Sequence, residues 1–183
     1  KYGFGVIDAS AAVDLAENWI NVGPVINYQS GLIDIADRQI PDNSAPGITE
    51  TTQVPDSIKI EHVEVIVDID HSYRGDLEII LTSPAGTQSI LSEKHEDNGN
   101  DWNNWMFTSV HHWDEDSFGE WTLSIEDQGN GDTGTLLDWE LNIYGTELNT
   151  DRDGDGLTNN DEVTIYGTDP DDIDTDDDQI NDG

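Results

Sequence analysis

The clearest chemistry in the chain lies between Asp151 and Glu162. Asp151, Asp153 and Asp155 alternate with Arg152 and Gly154, Gly156 follows, and Leu157, Asn159 and Glu162 fall at positions 7, 9 and 12 counted from Asp151. These are the ligand positions of a calcium loop, and position 6 takes glycine because the backbone turns sharply there. Asp151, Asp153 and Asp155 offer side-chain oxygens, Leu157 its carbonyl, Asn159 its amide directly or through water, and Glu162 both carboxylate oxygens. Hard oxygen donors in that order predict Ca2+ as the cofactor. The pattern then restarts. Asp174, Asp176, Asp178, Ile180 and Asp182 repeat positions 1, 3, 5, 7 and 9, with Gln179 in the glycine position and Gly183 ending the sequence before a twelfth.

Other reactive groupings are weaker. There is no cysteine, so neither a disulfide framework nor thiol chemistry is available. Ser and His residues occur, Ser92 and His95 among them, but no glycine-flanked nucleophile motif surrounds a serine, and catalysis by this chain alone is not expected. His111 and His112 are adjacent and would point to opposite faces of a strand, which disfavours a shared zinc ion. Arg74-Gly75-Asp76 reads as a polar corner between two strands rather than an adhesion motif, with Gly75 permitting the turn. Asp76, Asp127 and Asp132 are candidates for a further calcium ion, in loops rich in oxygen ligands. Trp102, Trp105 and Trp113 raise the alternative of an aromatic platform for carbohydrate.

Charge narrows the partners further. Forty-one acidic residues against six basic ones give a net charge of -35 in 183 residues. Phosphate backbones and anionic membrane surfaces would repel such a chain, which argues against nucleic acid and membrane as partners and for divalent cations. No apolar run approaches the ~18 residues of a membrane span.

The elements that must position these groups are strands. Val63, Val65, Val67 and Ile69 alternate with mostly polar neighbours, as do Trp121, Leu123 and Ile125, and Trp139, Leu141 and Ile143. Residues 77–81 and 88–91, joined across Ser83-Pro84-Ala85-Gly86, read as a hairpin. Residues 1–20 start with a glycine-rich turn and become helical, with Asp8 placed to cap and Ala12, Val13 and Ala16 along one face. Gly23 and Pro24 stop that helix, so residues 21–30 read as a linker, and the prolines at 41, 46 and 55 predict turn and loop with short edge strands.

Several of these stretches occur together in an order that is itself informative: residues 70–77 (Asp-His-Ser-Tyr-Arg-Gly-Asp-Leu), 81–87 (Leu-Thr-Ser-Pro-Ala-Gly-Thr), 105–107 (Trp-Met-Phe), 119–123 (Gly-Glu-Trp-Thr-Leu) and 139–146 (Trp-Glu-Leu-Asn-Ile-Tyr-Gly-Thr). In that order they resemble the P domain, or Homo B, of kexin- and furin-like subtilisin-family serine proteases. Residues 1–20 resemble the last turn and helix of the subtilase catalytic domain, and residues 147–183 resemble the thrombospondin type 3-like calcium repeats of secreted bacterial proteins. The resemblance implies a jelly-roll-like all-β sandwich of about eight strands over residues 31–146, with buried Trp105, Trp121 and Trp139, a short N-terminal helix and an acidic calcium-binding tail. It also implies a secreted parent protease whose catalytic domain is the partner of this module, depends on it for folding and stability, and carries the triad upstream. A module binding protein or polysaccharide substrate, and a calcium-stiffened spacer, are the two alternatives.

Overall fold

The computed structural model describes residues 9–17, 24–148, 151, 153–158, 161–176 and 178–183. The expected cap at Asp8 and the side-chain ligand Asn159 lie outside them. Helix α1 spans Ala9–Glu17, and nine strands follow: β1 Ile26–Gln29, β2 Ile33–Ile40, β3 Ile48–Val54, β4 Ile58–Asp70, β5 Leu77–Thr82, β6 Gln88–Ser92, β7 Trp102–Ser109, β8 Gly119–Asp127 and β9 Gly134–Glu147. One sheet has the order β1-β9-β4-β7, with β2 pairing along β9 as well, and the other has the order β3-β8-β5-β6. All pairings are antiparallel. The orders 2-9-4-7 and 3-8-5-6 are those of a jelly roll, a ribbon with the β5–β6 hairpin at its tip rolled into two stacked sheets.

Strands β4 and β9 form the spine of the first sheet, and two bulges tune which of their side chains face inward. On β4 the register shifts between Ile60 and His62, so that Ile60 and Val63, three apart, are both buried. On β9 an extra residue opposite the Asp68 to Ile69 step does the same for Leu136 and Trp139. The second sheet contributes Leu77, Ile79 and Leu81 from β5, Trp121, Leu123 and Ile125 from β8, and Ile48 and Val54 from β3. These inner faces close one dry core, and each fully buried Val, Leu or Ile contributes about 1.5–3 kcal/mol.

Three expectations are corrected. The predicted linker over 21–30 contains strand β1, which pairs Ile26 with Gly145 and Gln29 with Asn142; four residues were too short a run for alternation to reveal. Trp105, expected in the core, is 46 % exposed, whereas Trp102 is buried. Both lie on the edge strand β7, Trp105 opposite Val67 and Trp102 opposite Ile69 of β4, and the ladder shifts between these two pairs, with the Trp105 ring resting on Trp102 at 5.1 Å between centroids. His111 and His112 lie in a turn after β7 rather than in a strand.

His112 is fully buried with its ring edge-on to Trp121 at 5.0 Å between centroids, and neither ring nitrogen has a hydrogen-bond partner. Burial pushes its pKa below the ordinary 6.5, against the opposing pull of Glu115. The folded state therefore binds the proton less readily than the unfolded chain, and stability falls as pH drops below 6.5 towards the lowered folded value. The slope in that window is at most about 1.4 kcal/mol per pH unit. Urea midpoints of the parent and His112→Phe chains between pH 7.5 and 5 check this: the variant's profile should be flatter, and parallel profiles would remove His112 as the cause.

The Arg74–Asp76 corner is a single 3-10 turn with Gly75 packed so tightly that a Cβ there would stand 2.6 Å from the His95 carbonyl oxygen. The Arg74 Nε donates to Asp97 at 2.8 Å and its guanidinium lies 5.0 Å over the Trp102 ring. That hydrogen bond, then the Gly99 N–H, holds the Asp97 carboxyl below its usual range. The triplet is built into the sandwich and does not project as a recognition loop. Among the described residues no helix is long and apolar enough to cross a membrane.

Candidate metal centre

Two acidic triads occur among the described residues. Asp151, Asp153 and Asp155 each present one carboxylate oxygen to a common point, those oxygens lying within 4.8 Å of one another, and Asp174, Asp176 and Asp178 do the same. Each loop is shaped by its own aspartates. In the first, Asp151 accepts from the Gly154 and Gly156 N–H groups at 2.8 and 3.2 Å, Asp153 from Asp155 at 3.2 Å, and Asp155 from Leu157 at 2.7 Å. In the second, Asp174 accepts from Asp178 at 3.1 Å and from Gln179 at 2.6 Å, Asp176 from Asp178 at 3.2 Å, and Asp178 from Ile180 at 2.9 Å. The two loops share one bonding plan. Gly156 turns it with φ 109°, and Gln179 takes the same left-handed turn at φ 75°, a conformation disfavoured for a side-chain-bearing residue.

Glu162 is what separates the first loop from an ordinary solvated acidic turn. It opens a short π-type turn, Glu162–Tyr166, closed by Gly167, which donates its N–H back to the Glu162 carbonyl. Its side chain is completely buried, and neither carboxylate oxygen has a hydrogen-bond partner; Asp153 and Asp155 each have one orphaned buried oxygen as well. Burial first, then the charges of Asp153, Asp155, Asp151 and Asp182, hold the Glu162 carboxyl above its ordinary range. Buried, unpaired carboxylates are costly, and a hard cation 2.3–2.6 Å from each oxygen would satisfy them together. The donor set fits Ca2+. In the second loop the triad is half-buried to exposed, and Asp182 accepts from the Thr175 N–H at 3.0 Å.

The three sandwich aspartates do not form a third triad. Asp127 is buried and committed to protein partners: Oδ2 lies 3.3 Å from His71 Nε2, and Oδ1 accepts from the Gly129 N–H at 2.8 Å. Asp76 packs against Gly129 and lies 3.7 Å from the Lys94 ammonium, while Asp132 is half-buried in the loop before β9. The sequence reading missed His71, although the inward parity of Val63, Val65, Val67 and Ile69 already carried to it. A hydroxyl–carboxylate–histidine grouping is present at Ser83, Glu115 and His112, but Ser83 donates to Glu115 at 2.6 Å rather than to His112, which solvent cannot reach. That arrangement cannot activate a nucleophile.

The fold and these sites can be set beside known proteins. Residues 60–143 match the family described as the proprotein convertase P-domain. The sandwich is a P domain of the kexin and furin-like subtilases. Curated relatives agree over a longer stretch. Furin-1 of Xenopus laevis is 37% identical over 170 residues, covering 87% of this chain and 21% of that protein. Proprotein convertase subtilisin/kexin type 4 of Mus musculus is 38% identical over 152 residues, 79% of this chain and 23% of its own length. The chain thus spans about a fifth of these relatives. The serine protease of Aeromonas sobria, solved with its chaperone, superposes with a TM-score of 0.68 at 25% identity, over 80% of this chain and 31% of the protease. The P domain is a non-catalytic domain of subtilase-family serine proteases.

Proposed function

We propose that this chain is the non-catalytic C-terminal portion of a secreted, calcium-dependent subtilisin-like serine endopeptidase. In this reading the P domain packs on the catalytic domain of the same protein and stabilises it, residues 1–20 are the end of that domain, and residues 147–183 bind calcium. The observation that carries the first part is the P-domain match across the core strands β4 to β9, on a chain that spans about a fifth of relatives named as proprotein convertases. The calcium assignment draws on the buried, unpartnered carboxylate of Glu162 facing three aspartates. A high density of negative charge relieved by divalent cations suits an extracellular, calcium-rich setting.

The stabilising role is tested in the full-length protein by removing residues 24–147. Active protease should fail to accumulate, and the catalytic domain that remains should unfold at a lower temperature. If the deleted protein keeps its activity and its melting temperature, stabilisation is not the role. If it keeps both but no longer adheres to insoluble polysaccharide or protein, the binding-module reading replaces it. That second reading draws on Trp105 and Trp113, which are 46 % and 62 % exposed.

A further inference from the structure

Gly183 lies directly on the first loop: a Cβ built on it would stand 2.7 Å from the Asp155 carbonyl oxygen and 2.9 Å from the Leu157 nitrogen, and its carbonyl carbon faces Gly156. Asp182 is fixed from two sides, its N–H donating to the Ile173 carbonyl at 3.2 Å and its carboxylate accepting from Thr175 at 3.0 Å. Glu162 has no solvent exposure and Asp155 only 8 %, although both belong to a short acidic tail.

We propose that the first calcium site is a two-loop site, in which Asp182 and Gly183 of the second loop form a cover that raises calcium affinity and slows calcium release. This rests on the reading of the first loop as a calcium site. Asp182 acts here as a positioning residue: anchored to Ile173 and Thr175, it seats Gly183 on the first loop and brings a negative charge to that side without being one of the predicted ligands of that loop. The Gly183 backbone lies against the Asp155 to Leu157 backbone and closes that side of the loop to solvent. A loop covered in this way should exchange its ion more slowly than one open to water, whether or not the second loop holds an ion itself.

The experiment is calcium titration by calorimetry on the full 183-residue chain, paired with stopped-flow release of calcium to a chelator. Glu162→Gln identifies which binding event belongs to the first loop. Asp182→Asn should weaken that event about fivefold, in line with the loss of one nearby unit charge. A chain ending at Gly167 should weaken it at least about tenfold and release calcium correspondingly faster, through loss of both charge and cover. Glu120→Gln, the same charge change at an exposed position on β8, should leave affinity within about 1.5-fold. The proposal is overturned if Asp182→Asn and the shortened chain both bind and release the first-loop ion as the full chain does, even where shortening removes a second ion. If instead Glu162→Gln leaves the full chain's titration unchanged, the calcium reading of the first loop itself has failed, and this inference falls with it.

Discussion

A Trp121→Ala chain should lose about 3–5 kcal/mol of folding stability, the usual cost of deleting a large aromatic from a close-packed core. Trp121 is completely buried on β8 and donates its indole N–H to the Ser117 carbonyl at 2.8 Å. Truncation removes that donor, opens a cavity between the sheets and strips His112 of the ring it packs against. For a domain whose total stability is about 5–15 kcal/mol, this is about a fifth of the total or more. Urea unfolding followed by far-UV circular dichroism should show a lower midpoint with little change in slope. Trp105→Ala serves as the comparison, since it deletes the same side chain at an edge position and should cost no more than about 1 kcal/mol. Equal losses for the two would contradict the assignment of Trp121 to the core and Trp105 to the rim.

The second large effect belongs to Glu162→Gln, which keeps the shape of the side chain and removes its charge and its two-oxygen grip. If calcium binds the folded tail, an excess of about 100 times the dissociation constant stabilises it by about 2.7 kcal/mol. A variant binding about a hundredfold more weakly would gain only about 0.4 kcal/mol from the same calcium. Without calcium the order reverses. The raised pKa of Glu162 means that the folded state holds its proton more tightly than the unfolded chain, whose value is near 4.5. Its contribution is thus fully present below 4.5 and is lost as pH rises through the raised folded value. In chelator, the parent tail should weaken as pH climbs through that window while the variant stays level. Calorimetric scans of both chains, with calcium and with chelator at two pH values, test both arms, and identical scans for the two chains would dismiss Glu162 as a ligand.

Much of this architecture could be read from residue order, because the strands that matter most bury one face and alternate plainly. Val63 to Ile69 on β4 and Trp121 to Ile125 on β8 were legible for that reason. The acidic loop was legible because its carboxylates come from one short segment, so spacing alone reports how Asp151, Asp153 and Asp155 converge. What escaped depends on partners distant in sequence. Strand β1 exists because β9 offers it an edge, and nothing in Ile-Asn-Tyr-Gln announces that. The exchange of roles between Trp102 and Trp105 accompanies a shift in the β4–β7 ladder between their two pairs. The His71–Asp127 pair joins residues 56 apart, and a list of acidic loop residues could not reveal the imidazole beside Asp127.

The pairing of β1 with the far end of β9 also decides how the P domain would respond to being pulled. Ile26 lies opposite Gly145, so the chain enters and leaves the sandwich at the same pole. Tension applied through the segments before β1 and after β9 would load the Ile26–Gly145 end first and part the ladder rung by rung, as a zipper opens, instead of shearing all its bonds together. The domain is therefore mechanically soft along the line joining its neighbours. A stretched parent protein would peel β1 away before the core strands bore any load.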